Sequence, residues 1–238
     1  NSFPLVFSAM AKKLTLSKTN PRFDVIVIGA GASGSVAARD LCLRGYKVGL
    51  IDAGNCLGPA QEAEEPTRWK EKLEKHYSVQ SRSEVFNRET EHLFVKDSEN
   101  PYTLDAQNPF YWVRSQSLGG RMNLWTGECY RFSDIDFKAA SRDGYGIDWP
   151  LNHADLHPDY EKAENVLKIR GHNDGIESSP DGQVRPSHPL DANEKFVRER
   201  LASLDTPLVL DRLATYKSGK APNLNNLLHE AESTGNLT

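Results

Sequence analysis

The 238-residue chain carries 29 Lys and Arg against 33 Asp and Glu, a net charge of -4, and so has no general attraction for nucleic acid or an anionic membrane surface. Its three cysteines, Cys42, Cys56 and Cys129, form no C-x-x-C pair and indicate neither a disulfide framework nor a zinc site. A chain of this length can bury a sizeable core, and a small-molecule site is the default expectation.

Asn1 to Ala9 is mildly apolar, lacks a basic n-region and is too short to span a bilayer, while Met10 has the look of a natural start. Residues 1–20 are read as an N-terminal extension. No later segment is apolar enough to cross a membrane, and a cytoplasmic location is expected. Phe23 to Leu43, FDVIVIGAGASGSVAARDLCL, is an apolar strand running through Gly29, Gly31 and Gly34 into a helix. The β-branched run Val25 to Ile28 suits a buried parallel strand, and Cys42 is expected to pack on the sheet as a small apolar residue. A second strand, Lys47 to Ile51, ends at Asp52.

Ala53 to Pro66 reads as a loop and Pro66 to Lys75 as a polar helix. Tyr77 to Pro109 shows little periodicity and predicts a long excursion over the surface or over a ligand. Tyr111 to Leu118 is an extended segment that delivers Gly119 and Gly120, and Asp148, Trp149 and Pro150 mark a turn with Trp149 as a core anchor. Asp155 precedes a helix, LHPDYEKAENVLKI, with Leu156, Tyr160, Ala163 and Leu167 on one face. Gly171 to Pro189 is rich in turn formers, with at most a short strand over Gln183 to Arg185. Glu194 to Leu204 predicts a helix with Phe196, Val197, Arg200 and Leu201 along a buried stripe, and Leu208 to Leu210 is a candidate strand. Asn223 to Ser233 predicts a helix with Leu224, Leu227, Leu228 and Ala231 spaced for burial and Gly235 as its stop. A new strand would begin at Asn236 to Thr238. The seven histidines lie on polar segments and are assigned to the surface, and the acidic run Glu62, Glu64, Glu65 to water. His153 and His157 share a helical face without forming a metal pair.

The glycines carry the chemistry. In G-x-G-x-x-G the first glycine permits a tight turn, the second lets a pyrophosphate approach the backbone, and the third lets helix and strand pack closely. The amides at the helix start face the phosphates, with the positive end of the helix dipole behind them. Asp52 lies 23 residues beyond Gly29, where a carboxylate can accept hydrogen bonds from a ribose diol.

A second cluster, RSQSLGGRMNLWTGECYRF from Arg114 to Phe132, places paired glycines between an extended segment and an Asn-Leu-Trp run. Together with the first fingerprint, IDAG at Ile51 to Gly54 and the later YGIDWPLNHADLHPDYEKAENVLKIRG, it resembles the glucose-methanol-choline (GMC) flavin oxidoreductases. The likeness is closest to the bacterial branch and covers most of the chain from Arg22 onward. It implies an α/β fold: a Rossmann-like FAD-binding parallel sheet with helices, incomplete within these residues, plus the beginning of a substrate-binding domain. Residues 21–146 would supply the FAD-binding segments, and residues 147–238 the start of the substrate domain and the return toward the FAD domain.

The resemblance assigns the ADP half of FAD to Gly29, Gly31, Ala32, Ser33, Gly34 and Asp52, the last being Glu in most of the family. It sets Gly119, Gly120, Asn123, Trp125, Thr126 and Gly127 beside the cofactor, and Arg114 near the phosphates. Some members link the flavin through a histidine, which is Leu124 here, so noncovalent FAD is expected. Family enzymes oxidise the CH-OH group of an alcohol or sugar, with a histidine taking the proton and flavin N5 the hydride. That histidine lies near the family's C-terminus, so no catalytic residue is assigned within these 238 residues, and no metal. Two readings stay open: the N-terminal part of such an oxidoreductase, or a catalytically inert piece that at most binds a dinucleotide. An NAD-dependent enzyme, which has no reason to contain LGGRMNLWTG, ranks third. The alcohol and the electron acceptor are left open.

Overall fold

The computed structural model describes residues 22–54, 66–214 and 225–238. The chain divides into two units, residues 1–124 with 223–238, and residues 125–222. In the first, Val25–Ile28 forms β1, Ala32–Leu43 forms α1 and Val48–Ile51 forms β2. The strands pair in parallel, Val25 opposite Val48 through to Ile28 opposite Ile51, as a strand-helix-strand crossover allows. Pro66–His76 forms α2, within a residue of the predicted helix. The excursion that follows has only two short 3-10 turns, Gln80–Arg82 and Glu91–Leu93, yet it is anchored twice. Tyr77, Leu93 and Phe94 are buried with Leu73 of α2, Phe86 and Val113 against them. Beside them Gln80, 0% exposed, donates to Asp97 Oδ1 and the Trp112 carbonyl and accepts the Arg114 amide. One amide side chain thus ties three separate stretches of irregular backbone, whose polar groups would otherwise be buried without partners.

In the second unit Asp134–Phe137 forms α3 and Ala139–Asp143 forms α4, neither predicted. α3 starts from a capping box in which Ser133 and Asp136 each accept from the other's end of the turn. Trp149, expected as a core anchor, is 60% exposed and only leans edge-on against the Phe137 ring; Phe137 takes the buried place instead. His153–Leu167 forms α5, capped by Asn152 with Asp155 at its third position, so Asp155 lies inside the helix. Its buried residue is not from the predicted apolar face but Glu164, which meets buried Arg131. Ile169–Gly171 forms β3 and Arg185–Pro186 forms β4, close to the short strand expected there. Ala192–Ala202 forms α6, whose predicted buried stripe is instead exposed, Phe196 at 57%. The candidate strand at Leu208 to Leu210 falls further on, at Leu213–Ala214, β5. β3 pairs parallel to β4 and antiparallel to β5, and β5 takes Gly127 to Cys129 on its other edge.

Asn225–Ser233, α7, returns the chain to the first unit. Leu227, Leu228 and Ala231 are buried as the spacing predicts, and Leu224 lies outside the described residues. Gly235 adopts φ 73° and turns the chain out of the helix. Asn236 to Thr238 then runs parallel to β2: Val48 N–H donates to Asn236, Leu50 N–H to Thr238, and Thr238 N–H to Val48. The strand expected to begin here is therefore present, in the order β1, β2, 236–238.

Ala38 and Cys42 of α1, Val48 of β2 and Ala231 of α7 form one buried cluster, with Val27, Leu50 and Leu237 against it. Cys42 is the small apolar filler anticipated from its place. Because both helices lie on the same face, the alternate side chains of the strands point away from them. Ile26, Ile28 and Ile51 are accordingly exposed, Ile28 at 85%, although the β-branched run reads as a strand buried on both faces. The extension at residues 1–20, Cys56 and the acidic run fall outside the described residues.

Candidate dinucleotide site

The site is assembled from backbone. β1 ends at Ile28, and Gly29 turns the chain with φ 96° while its amide donates to the Ile51 carbonyl. Such a φ strains any residue with a Cβ. The third glycine is fixed by packing: a Cβ on Gly34 would collide with the Gly29 carbonyl and meet Val27 at 3.4 Å. Gly31 differs from both, because a Cβ there would meet no atom within 4 Å. Bare backbone thus borders open space where the second glycine of the fingerprint belongs.

At its N-terminus α1 has no side-chain cap and no acidic residue in its first turn. The helices α3, α5 and α6 each carry a complete capping box. The amides of Ala32, Ser33 and Gly34 make no hydrogen bond to a described residue, whereas Ser35 N–H closes on the Gly31 carbonyl. Ala32 and Ser33 are exposed. Unpaired amides at the positive end of a helix form an anion-binding arrangement.

Asp52 stands at the end of β2 with both oxygens engaged: Oδ2 accepts from Ala30 N–H and Oδ1 from Gly54 N–H, each at 2.6 Å. The carboxylate therefore joins the glycine turn to the loop after β2, a role the sequence reading did not assign, and retains lone pairs for a ribose diol. Gly54, the last residue of the IDAG motif, has a task of its own. A Cβ on it would lie 2.7 Å from both Leu118 N and Asp52 Oδ1, so the absence of one lets the second glycine segment approach.

That segment is a tight turn. Gly119 and Gly120 have φ 91° and 58°, and Gly120–Asn123 forms a 3-10 turn. Asn123 holds it, Nδ2 donating to Ser117 Oγ and to the Leu118 and Gly120 carbonyls. A Cβ on Gly120 would come within 3.6 Å of Gly31 Cα. Folding therefore brings together Gly31 and Gly120, 89 residues apart in the chain. Arg114 is placed differently from a phosphate ligand: its guanidinium donates to the Asn100 carbonyl, lies 3.6 Å from Asp97 and sits over the Tyr102 and Trp112 rings. Trp125, Thr126 and Gly127 open the second unit, where the Gly127 carbonyl accepts from Ala214 N–H.

His92 and His172 are half-buried rather than fully at the surface, with His92 Nδ1 and His172 Nε2 buried and without a hydrogen-bond partner among the described residues. His153 and His157 pack edge to face on α5. No helix among the described residues is long and apolar enough to cross a membrane.

The parallel sheet, uncapped α1 and glycine turn define a Rossmann-like dinucleotide-binding unit. Consistently, the family model of an NAD(P)-binding Rossmann-like domain matches residues 27–88. The chain is 28% identical over 200 residues to paromamine 6'-oxidase of Streptomyces fradiae, covering 81% of this chain and 32% of that protein. It is 29% identical to 6'''-hydroxyparomomycin C oxidase of Streptomyces lividus, over 80% of this chain and 32% of that protein. It is also 28% identical to the fructose dehydrogenase large subunit of Gluconobacter japonicus, over 70% and 31%. The chain spans about a third of the length of these curated relatives. Among solved structures, pyridoxine 4-oxidase from Mesorbium loti superposes with a TM-score of 0.52 at 20% identity, over 91% of this chain and 42% of that one, a likeness of fold. The chain is thus similar to oxidases and a dehydrogenase, in keeping with the GMC resemblance carried by its two glycine clusters.

Proposed function

We propose that this chain is the FAD-binding N-terminal part of an oxidoreductase acting on the CH-OH group of an alcohol or sugar. The observation that carries the reading is the meeting of Gly31 and Gly120 beside the uncapped start of α1. A side-chain-free cradle of two backbone turns, with unpaired amides at a helix start, fits a pyrophosphate. Ala32, Ser33 and Gly34 would supply amides to it, Asp52 would accept from the adenosine ribose, and Gly119 and Gly120 would pass along the cofactor. Trp125, Thr126 and Gly127 belong to the same proposal, as does noncovalent attachment, since Leu124 offers no nucleophilic nitrogen. When bound, FAD supplies the hydride acceptor; the residues of this chain bind and orient it.

An NAD(P)-dependent enzyme would use the first turn alike, and the second glycine turn favours the flavin. Three curated relatives are named as oxidases or dehydrogenases of hydroxylated compounds, which supports an alcohol or sugar substrate. Purified protein is expected to carry flavin absorbance that dissociates on denaturation and is lost in Gly31→Trp. A Cβ at Gly31 meets no protein atom within 4 Å, so the side chain leaves the backbone into the open space of the cradle it is meant to block. Folded, colourless protein that takes up NAD and not FAD would overturn the reading.

A further inference from the structure

The second glycine turn stands at the cradle because of how the segment leading into it, residues 112–117, is held. Neither Gly31 nor Gly120 has a side chain with which to hold their contact, so a loose segment would let them drift apart. The backbone of that segment is gripped residue by residue. Trp112 N–H donates to the Tyr102 hydroxyl at 2.9 Å, the Val113 carbonyl accepts from Arg121 Nη1 at 2.8 Å, and the Arg114 carbonyl accepts from Val95 N–H at 3.2 Å. Ser115 bridges to Phe94, and its hydroxyl lies 3.1 Å from that of Ser117, the residue whose carbonyl accepts the Gly120 amide.

Gln80 supplies the remaining grip, with the geometry of an absent strand. Its Nε2 donates to the Trp112 carbonyl at 3.1 Å, and its Oε1 accepts from Arg114 N–H at 2.7 Å. A parallel neighbouring strand would engage these same two groups, the carbonyl before Val113 and the amide after it, with the polar groups of one residue. The other Nε2 hydrogen goes to Asp97 Oδ1 at 2.7 Å, while Asp97 Oδ2 accepts the Val79 and Gln80 amides. Asp97 is itself anchored, its amide donating to the His76 carbonyl at the end of α2. Gln80 is 0% exposed, so no water can replace what its side chain provides. A carboxamide donates twice and accepts at the same time; leucine does neither, and an ionised glutamate cannot donate. An unbroken line of contacts thus runs from α2 through Asp97 and Gln80 to the segment that sets Gly120 against Gly31.

We propose that Gln80 is a positioning residue for the cofactor: it holds residues 112–114 so that Gly120 faces Gly31, and flavin binding and order in the 77–112 excursion therefore stabilise each other. The proposal rests on the flavin reading of the cradle. Coupling of this kind is reciprocal, so it can be read from either end.

The test takes flavin-free parent, Gln80→Leu and Gln80→Glu, titrates each with FAD by flavin fluorescence and visible circular dichroism, and follows amide hydrogen exchange with and without FAD. Both variants should bind FAD about tenfold or more weaker, within the roughly 5–150-fold range of coupling between sites. In the parent, FAD should slow exchange at Val79 and Asp97, whose amides bond away from the cradle; at saturating FAD, Gln80→Leu should lose that protection. A glutamine that merely stabilised the excursion would leave these amides blind to FAD. Adding Asp97→Asn to Gln80→Glu lets the introduced amide donate to the introduced carboxylate and should restore most of the affinity, which keeps the test open where Gln80→Leu folds poorly. Affinity within twofold of the parent in both single variants would overturn the proposal and leave the flavin reading intact. So would FAD-independent exchange at Val79 and Asp97 in the parent, or no recovery in the double variant. A folded parent that takes up no FAD would overturn the flavin reading and this proposal with it.

Discussion

Asp52→Asn separates two roles that one carboxylate could have. If Asp52 served only to meet a ribose, the neutral variant would fold as well as the parent and differ only in ligand affinity. The structure argues otherwise, because the carboxylate accepts two amides, Ala30 N–H and Gly54 N–H, each at 2.6 Å. An asparagine has one acceptor, so whichever amide its oxygen keeps, its NH₂ is turned on the other, donor against donor. Hydrogen bonds to a charged acceptor contribute about 1.5–3 kcal/mol each, and the site is part-buried, so a loss of about 2–3 kcal/mol is expected. For a chain of this size that lowers the melting temperature by roughly 4–12 °C. The measurement is thermal unfolding of parent and variant after removal of any flavin. Asp52→Glu, which keeps the charge but moves it one methylene outward, should fall between them. If flavin-free Asp52→Asn melts within about 1 °C of the parent, Asp52 does not organise the turn and the assigned geometry is wrong.

Gly34→Ala should cost about 1–3 kcal/mol in urea unfolding, since its Cβ meets the Gly29 carbonyl and helix and strand must part; an unchanged midpoint would contradict the packing. Gln80→Leu orphans the Arg114 amide and the Trp112 carbonyl and removes the side-chain donor from Asp97 Oδ1. It should open the 77–112 excursion to limited proteolysis at a cost of about 2–5 kcal/mol, and cleavage elsewhere first would count against it. Glu164→Gln leaves Arg131 as a buried unpaired cation and should cost about 3–5 kcal/mol at neutral pH. Burial raises the Glu164 carboxyl, but the Arg131 bonds and the Gln183 amide outweigh it and hold it below the ordinary range. The stabilisation is therefore complete above the carboxyl's unfolded pKa and is lost as pH falls through its lower folded value. Stability of the parent should drop more steeply than that of Glu164→Gln below about pH 4.5, and parallel curves would refute the pairing.

What was legible in the sequence follows from the distance over which each feature is determined. β1, the glycine turn, α1 and β2 lie within 27 residues, Val25 to Ile51, and each answers to local chemistry: β-branched strands, a positive φ at Gly29, a Cβ-free contact at Gly34. α7 was readable for the same reason, because its leucine spacing and terminal Gly235 are local signals. The second unit is ordered by long-range polar contacts, and periodicity does not report these. Nothing near Glu164 marks it as the buried residue of α5; its partner, Arg131, is 33 residues earlier, and the apolar face at Leu156, Tyr160, Ala163 and Leu167 was the natural expectation. α6 failed in the opposite sense, its apolar stripe being present in sequence but exposed, because a stripe specifies a face for burial without supplying the surface that covers it. A local signal did exist for α3, the Ser133-x-x-Asp136 capping box, masked by the absence of an apolar run behind it. The cradle lies between these cases. Each glycine turn was recognisable alone, and their meeting depends on Gly54, which admits Ser117 and Leu118, and on Gly120, which admits Gly31. The spacing of Asp52 from the glycine turn signals a ribose ligand and gives no sign that the same carboxylate also binds the protein's own amides at Ala30 and Gly54.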